Sequence, residues 1–146
     1  MDEPLERILN LLLESERAGV TALDALAAQV DHPDLKRLLQ TSREDETTDA
    51  RALEELIRGS GGVPSRQTGP FAAKVAAAAT LRERLQLLIH GEEWVARKIE
   101  EALALAPSHG PIHDCLKQMA RRHRFEVEWG RAELIRLMES LAESKA

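Results

Sequence analysis

Apolar residues recur at steps of three and four through nearly the whole chain, and the stripes they draw predict four long helices. The first covers about residues 4–30, with Leu5, Ile8, Leu9, Leu12, Leu13, Gly19, Val20, Leu23, Leu26 and Val30 on one face. Asp31-His32-Pro33-Asp34 makes a corner, with Pro33 suited to a first helical turn. The second helix, about 34–58, carries Leu35, Leu38, Leu39, Ser42, Glu46, Asp49, Leu53, Leu56 and Ile57. Gly59-Ser60-Gly61-Gly62 ends it, and a polar, turn-rich stretch follows to Pro70. A short Ala-rich helix is expected over 71–79. Between Gly59 and Thr80 the chain can cover ~40 Å, enough for a crossover along a bundle. Thr80-Leu-Arg-Glu83 reads as a capping box that opens a helix over 81–105, with Leu81, Leu85, Leu88, Glu92, Val95, Ile99, Ala102 and Leu103 inward. After Ala106-Pro107 to Pro111, a final helix over 111–142 places Ile112, Leu116, Met119, His123, Glu126, Gly130, Leu134, Leu137 and Leu141 on its face. The expected fold is therefore all-α, a single domain built as a four-helix up-down bundle with a long crossover between the second and third long helices.

Near mid-length each stripe is interrupted by polar groups: Glu16 on the first helix, Glu46 and Asp49 on the second, Glu92 on the third, His123 and Glu126 on the fourth. Asp45 and Glu93 lie near the same edges and could replace Asp49 or Glu92. A solvated helix has no need to break its apolar face with acid, and burying such groups unpartnered costs several kcal/mol, roughly a large share of a domain's stability. Two helices giving one carboxylate and two giving a pair spaced i, i+3 is how bundle cores hold two metal ions. Five carboxylates and one imidazole suit Fe, Mn or Zn. The competing reading pairs the acids with Arg17, Arg43, Arg51, Arg97 or Arg122, protonates them, or places them around a wet cavity.

Composition sharpens this picture in a few places. The chain has 146 residues, 43% hydrophobic and 31% charged, with 3% aromatics and no Tyr, a helix-forming mixture. Its net charge of -5 is spread along the sequence and disfavours nucleic acid and anionic membranes as partners. The single cysteine, Cys115, excludes an intrachain disulfide framework and reads as a small core residue. Neither a basic leader nor an apolar run of membrane-spanning length is present, so a cytoplasmic protein is expected. Gly61-Gly62 lacks the Lys-Ser/Thr of a phosphate loop, and no nucleophile elbow occurs.

The helices, the long second connection and the inward carboxylates resemble the ferritin-like superfamily. That family's pattern is Glu, Glu-x-x-His, Glu and Glu-x-x-His on successive helices. Glu16, Glu46 and Glu92 match its acids and His123 its last His; Asp49 stands where a His would be, and Ala120 where a Glu would be, with Glu126 as substitute. Glu16-Arg-Ala-Gly19, Asp45-Glu46, Gly61-Gly-Val-Pro-Ser-Arg66 with Thr68-Gly-Pro-Phe71, and Trp94-Val-Ala-Arg-Lys98 look like a group of uncharacterised bacterial ferritin-like domains. The resemblance implies a dinuclear Fe or Mn centre held by Glu16, Glu46, Asp49, Glu92, His123 and Glu126, reacting with dioxygen or peroxide or taking up iron. A redox partner is compatible with that chemistry, and Trp94 and Trp129, close in sequence to two ligands, either pack as aromatics or carry an electron. Without Tyr, a tyrosyl-radical route is excluded. The other class of function is a non-enzymatic helical module that self-associates, as a homodimer, or binds a partner through Val127 and Leu134 around Trp129.

Overall fold

The computed structural model describes residues 1–145, and their side chains as far as residue 140; Leu141, placed on the last stripe above, lies outside the described side chains. All regular structure among the described residues is helical. Helix α1 spans Glu3–Gln29, α2 Pro33–Gly59, α3 Phe71–Ala77, α4 Leu81–Leu105 and α5 Pro111–Phe125; a π-helical segment, Glu126–Gly130, leads into α6, Arg131–Lys145. No described helix is long and apolar enough to cross a membrane.

Local chemistry sets the ends of these elements. The His32 imidazole caps α2 by accepting from the Leu35 N–H at 3.5 Å. Gly61, at φ 87°, turns the chain out of α2 in the left-handed conformation that glycine adopts without strain. At α4 the capping half of the expected box forms, Thr80 Oγ1 accepting from the Glu83 N–H, while Glu83 Oε2 reaches one residue further back and accepts from the Ala79 N–H, both at 3.1 Å. The same N-terminus limits α3. Ala78 is already extended, so this helix ends at Ala77 rather than at 79.

The connection from Gly61 to Pro70 lies along α1. Val63 N–H donates to Glu6 Oε1 at 2.7 Å, Ser65 N–H to Asn10 Oδ1 at 2.6 Å, and Gly69 N–H to the Glu14 carbonyl at 3.1 Å. Arg17 donates to the carbonyls of Ser65 and Gln67. The backbone N–H groups of Val63, Ser65 and Gly69 thus meet Glu6, Asn10 and Glu14 in turn, so the segment climbs from the start of α1 toward its end, where Val75 of α3 joins the core.

The apolar core is split in two. One cluster gathers Leu5 to Leu13 of α1, Leu53 and Ile57 of α2, Val95, Ile99 and Ala102 of α4, and Leu116, Met119 and Ala120 of α5. The other gathers Ala22 to Val30, Leu35 and Leu39, Val75, Leu85 and Leu88, and Leu134, Leu137 and Met138. Helix α1 and the α5–α6 segment run from the first cluster to the second; α2 and α4 run the other way. Every polar interruption named above falls in the layer between the clusters.

Over the expected helix 111–142 the chain is helical without a gap, but not α-helical throughout. Between Glu126 and Gly130 the backbone widens to a π-turn, which accommodates extra chain without leaving the helix axis. Past the turn Leu134 and Leu137 keep their expected inward face, and Met138, four residues after Leu134, is buried beside them. Leu134 is 7% exposed and belongs to the core, whereas Trp129 is 54% and Phe125 64% exposed. Leu134 therefore contributes no outward surface around Trp129, as the partner-binding reading had required.

Candidate metal centre

Glu16, Glu46, Asp49 and His123 are the buried polar residues of the described chain, with exposures of 0, 4, 1 and 0%. Glu92 and Glu126 are partly buried at the edge of the same layer. All six expected site residues thus meet at one level of the structure, carried there by α1, α2, α4, α5 and the start of the π-turn.

His123 is the hub. Its Nε2 lies 3.0 Å from Glu16 Oε1 and 3.4 Å from Asp49 Oδ2, and its Nδ1 lies 3.3 Å from Glu92 Oε2. Both ring nitrogens therefore face carboxylates, yet neither contact closes along an N–H direction, and both nitrogens lack a hydrogen-bond partner. The same holds for both oxygens of Glu16 and one oxygen each of Glu46, Glu92 and Glu126. So many orphaned buried atoms in one place are unusual, because each costs about 1–3 kcal/mol when nothing compensates it. A cation would compensate them. Two ligands bound at about 2.1 Å to one metal ion stand roughly 3.0–3.4 Å apart, which is the spacing observed around the imidazole. Two overlapping sets qualify, Glu16, Asp49 and His123 on the Nε2 side, and Glu92, His123 and Glu126 on the Nδ1 side. Glu46 sits between them, facing Glu92 and Glu16.

The electrostatics follow from burial and crowding. Burial pushes the Glu16 carboxyl up to about 7, against the opposing pull of His123. Burial, then the charges of Glu92 and Glu16, push Glu46 well above the carboxylate range. Glu126 is raised to about 9 by burial, by its contact with Asp45 and by Glu92. Burial would also raise Glu92, but its contacts with His123 and Glu46 outweigh that and leave it lowered. For His123, burial disfavours the imidazolium, and the contacts with Asp49, Glu16 and Glu92 overcome it, holding the ring well above its ordinary range. Without a metal the cluster thus stores protons in place of cations.

Of the five arginines that could have neutralised these acids, Arg122 alone reaches the layer among the described residues, 2.5 Å from Asp49 Oδ1. Arg43 pairs with Asp24, and Arg17 with Glu54 and the connection. The neighbours of the site residues also sort themselves out. Glu93 turns away to Arg131 at 2.9 Å, while Asp45 meets Glu126. Only with every acid ionised and the imidazole neutral, as metal binding would require, do the five expected carboxylates and the Arg122 guanidinium leave four negative charges, the charge of two divalent ions. Cys115 is partly buried beside the first cluster, its thiol raised by burial, and takes no part.

One contributor was overlooked on the sequence face. A Cβ on Gly19 would lie 2.6 Å from Glu46 Oε1 and 2.7 Å from Oε2, so the glycine is what lets this carboxylate reach the layer. Its signal was a glycine in the middle of a long helix, where it costs about 1 kcal/mol relative to alanine and so calls for a reason. Gly19→Ala should displace the Glu46 carboxylate, the movable partner. Metal affinity is expected to fall about 10- to 100-fold, with the metal-free helix no less stable, as read by metal titration and thermal melting.

No curated protein matches the chain. Residues 2–133, which include every residue of this layer, match the family described as a domain of unknown function (DUF6306), and the chain belongs to that family.

Proposed function

We propose that this protein is a ferritin-like metalloprotein that binds a dinuclear Fe or Mn centre between the two halves of its core. The observation that carries the reading is the layer of unpartnered carboxylate and imidazole atoms around His123, at the mutual spacing of ligands on a common cation. The directions of the helices and the climb of the second connection along α1 support a four-helix bundle with a crossover. The four negative charges that the layer carries once its protons leave support two divalent ions rather than one.

In this reading Glu16 and His123 hold one ion, Glu92 and Glu126 the other, and Glu46 lies where it can serve both. Asp49, claimed by Arg122, binds directly or orients His123 from outside. An Fe or Mn pair would supply redox chemistry toward dioxygen or peroxide, or a station for iron uptake. The protein's own part is to exclude water with the apolar clusters on either side, to fix the imidazole between carboxylates, and to release the protons of Glu16, Glu46 and Glu126 as metal enters. Oxygen-rich ligation with one nitrogen favours Fe and Mn over Zn, which prefers nitrogen and sulfur.

Protein prepared without oxygen and loaded with Fe(II) or Mn(II) should retain about two ions per chain after gel filtration, measured by mass spectrometry of the metals. Glu46→Ala should lose most of them. A native protein that retains none leaves the non-enzymatic reading, for which the exposed Phe125 and Trp129 stack is the observation in favour; concentration-dependent dimerisation would then be its signature.

A further inference from the structure

Beside the metal layer, between α2, α4 and the π-turn, the fold leaves a cleft enclosing about 150 Å³. Its walls are apolar, formed chiefly by Leu38, Leu88, Ile89 and Leu134, with Phe125 and Trp129 at the mouth. Those two rings stack with centroids 6.0 Å apart and planes 11° from parallel. They are also more than half exposed, a solvent exposure that a ring-shaped occupant would relieve. The inner end is different in kind: Asp45, Glu92 and Glu126 line it. The arginines that border the cleft are already engaged, Arg122 by Asp49 and Arg131 by Glu93.

A closed apolar cavity of about 150 Å³ takes up benzene. This cleft has that volume but opens between the two exposed rings, so one aromatic ring fits inside it with its far edge at the mouth. The acids at one end select what the ring can carry, since an anionic group would meet Glu92, kept ionised by its contacts with His123 and Glu46, whereas a hydroxyl or amino group would find carboxyl oxygens to accept its hydrogen.

We infer that this cleft binds a single-ring aromatic molecule bearing a hydrogen-bond donor, a phenol or an arylamine, with the ring between Leu88, Ile89 and the aromatic pair and the donor directed at Glu126 and Asp45. As an account of what the metal centre acts on, this rests on the function proposed above, because Glu92 and Glu126 face both the cleft and His123. Binding is read on the metal-free chain, where Glu126 has no ion to hold.

The test is a titration of the full chain, labelled at its Leu and Ile methyl groups, with phenol and in parallel with benzoate, followed by nuclear magnetic resonance. Phenol should shift the Leu38, Leu88 and Ile89 methyls saturably, and benzoate should bind at least about tenfold more weakly. Leu88→Phe, which puts a ring into the space, should abolish the phenol shifts at Ile89. Ser42→Phe, on the facing wall from α2, does the same from the other side should Leu88→Phe disturb the fold. Absence of saturable shifts at these methyls, equal binding of benzoate, or unchanged phenol binding in a folded variant would overturn the assignment. Metal retained without phenol binding overturns the cleft assignment and leaves the metal reading standing. Phenol bound by a chain that holds no metal supports the cleft as a binding site and overturns the metal reading.

Discussion

Glu46→Leu should make the metal-free protein more stable while removing its capacity for metal. The side chain is 4% exposed, its Oε2 has no partner, and its charged form is opposed by burial and by Glu92 and Glu16. A leucine of similar length would join the apolar residues above and below the layer and leave no orphaned atom. Replacing buried ionisable groups with well-packed apolar ones is often stabilising by about 1–4 kcal/mol. For a chain of this size that is roughly 3–12 °C in melting temperature. The metal should respond in the opposite sense, because a lost central ligand weakens both overlapping sets at once. Urea unfolding of the metal-free proteins, with metal retention measured on the same samples, checks both arms. Destabilisation by several kcal/mol would show that Glu46 is a satisfied structural group and would sink the idea that the layer is held in readiness for cations.

The second large effect is a loss of metal-free stability with rising pH that metal offsets. The carboxyls of Glu16 and Glu126 sit at about 7 and about 9 in the folded protein, and that of Glu46 is also raised, against an ordinary 4.5. Between pH 4.5 and 9 the folded state therefore holds more protons than the unfolded chain, and stability falls as pH rises. The elevated His123 acts in the same direction: its contribution is complete below 6.5 and is lost as the pH climbs through its folded value. Glu92, being lowered, contributes above 4.5 and loses that contribution only in more acidic solution, outside this window. For Glu16 alone the loss across the window is on the order of 3 kcal/mol. Metal ions compete with those protons, so the shift in melting temperature produced by Mn(II) should grow from pH 5 to pH 8 as the metal-free protein weakens. Melting curves with and without Mn(II) across this range are the measurement. A metal-free melting temperature that is flat from pH 5 to 8 would mean that these acids are not buried together.

Much of this was written in the chain. The four stripes and their polar interruptions are local periodicities, and the burial of a face imprints itself residue by residue. Hence Glu16, Glu46, Asp49 and His123 could be picked out as inward-facing, and the capping box at Thr80 could be read as the start of a helix. The length from Gly59 to Thr80 likewise set an upper limit on its reach, and so allowed a crossover.

Other features depended on how the helices are rotated and slid against one another, which no single stripe encodes. The π-turn at Glu126 is one. It arises where α5 must keep His123 in the polar layer while α6 presents Leu134, Leu137 and Met138 to the second cluster, and a straight 3.6-residue pattern drawn through Gly130 hid it. The identity of each neighbour is another. Arg122 reaches Asp49 whereas Arg17 turns to the connection, although both lie near acids in sequence. Gly19 earns its place only through the carboxylate of a different helix. The sequence by itself determined which side chains would be hidden from water, because periodic polarity is a property of one helix. Tertiary packing decided which of them face each other, because a distance between two helices belongs to neither of them alone.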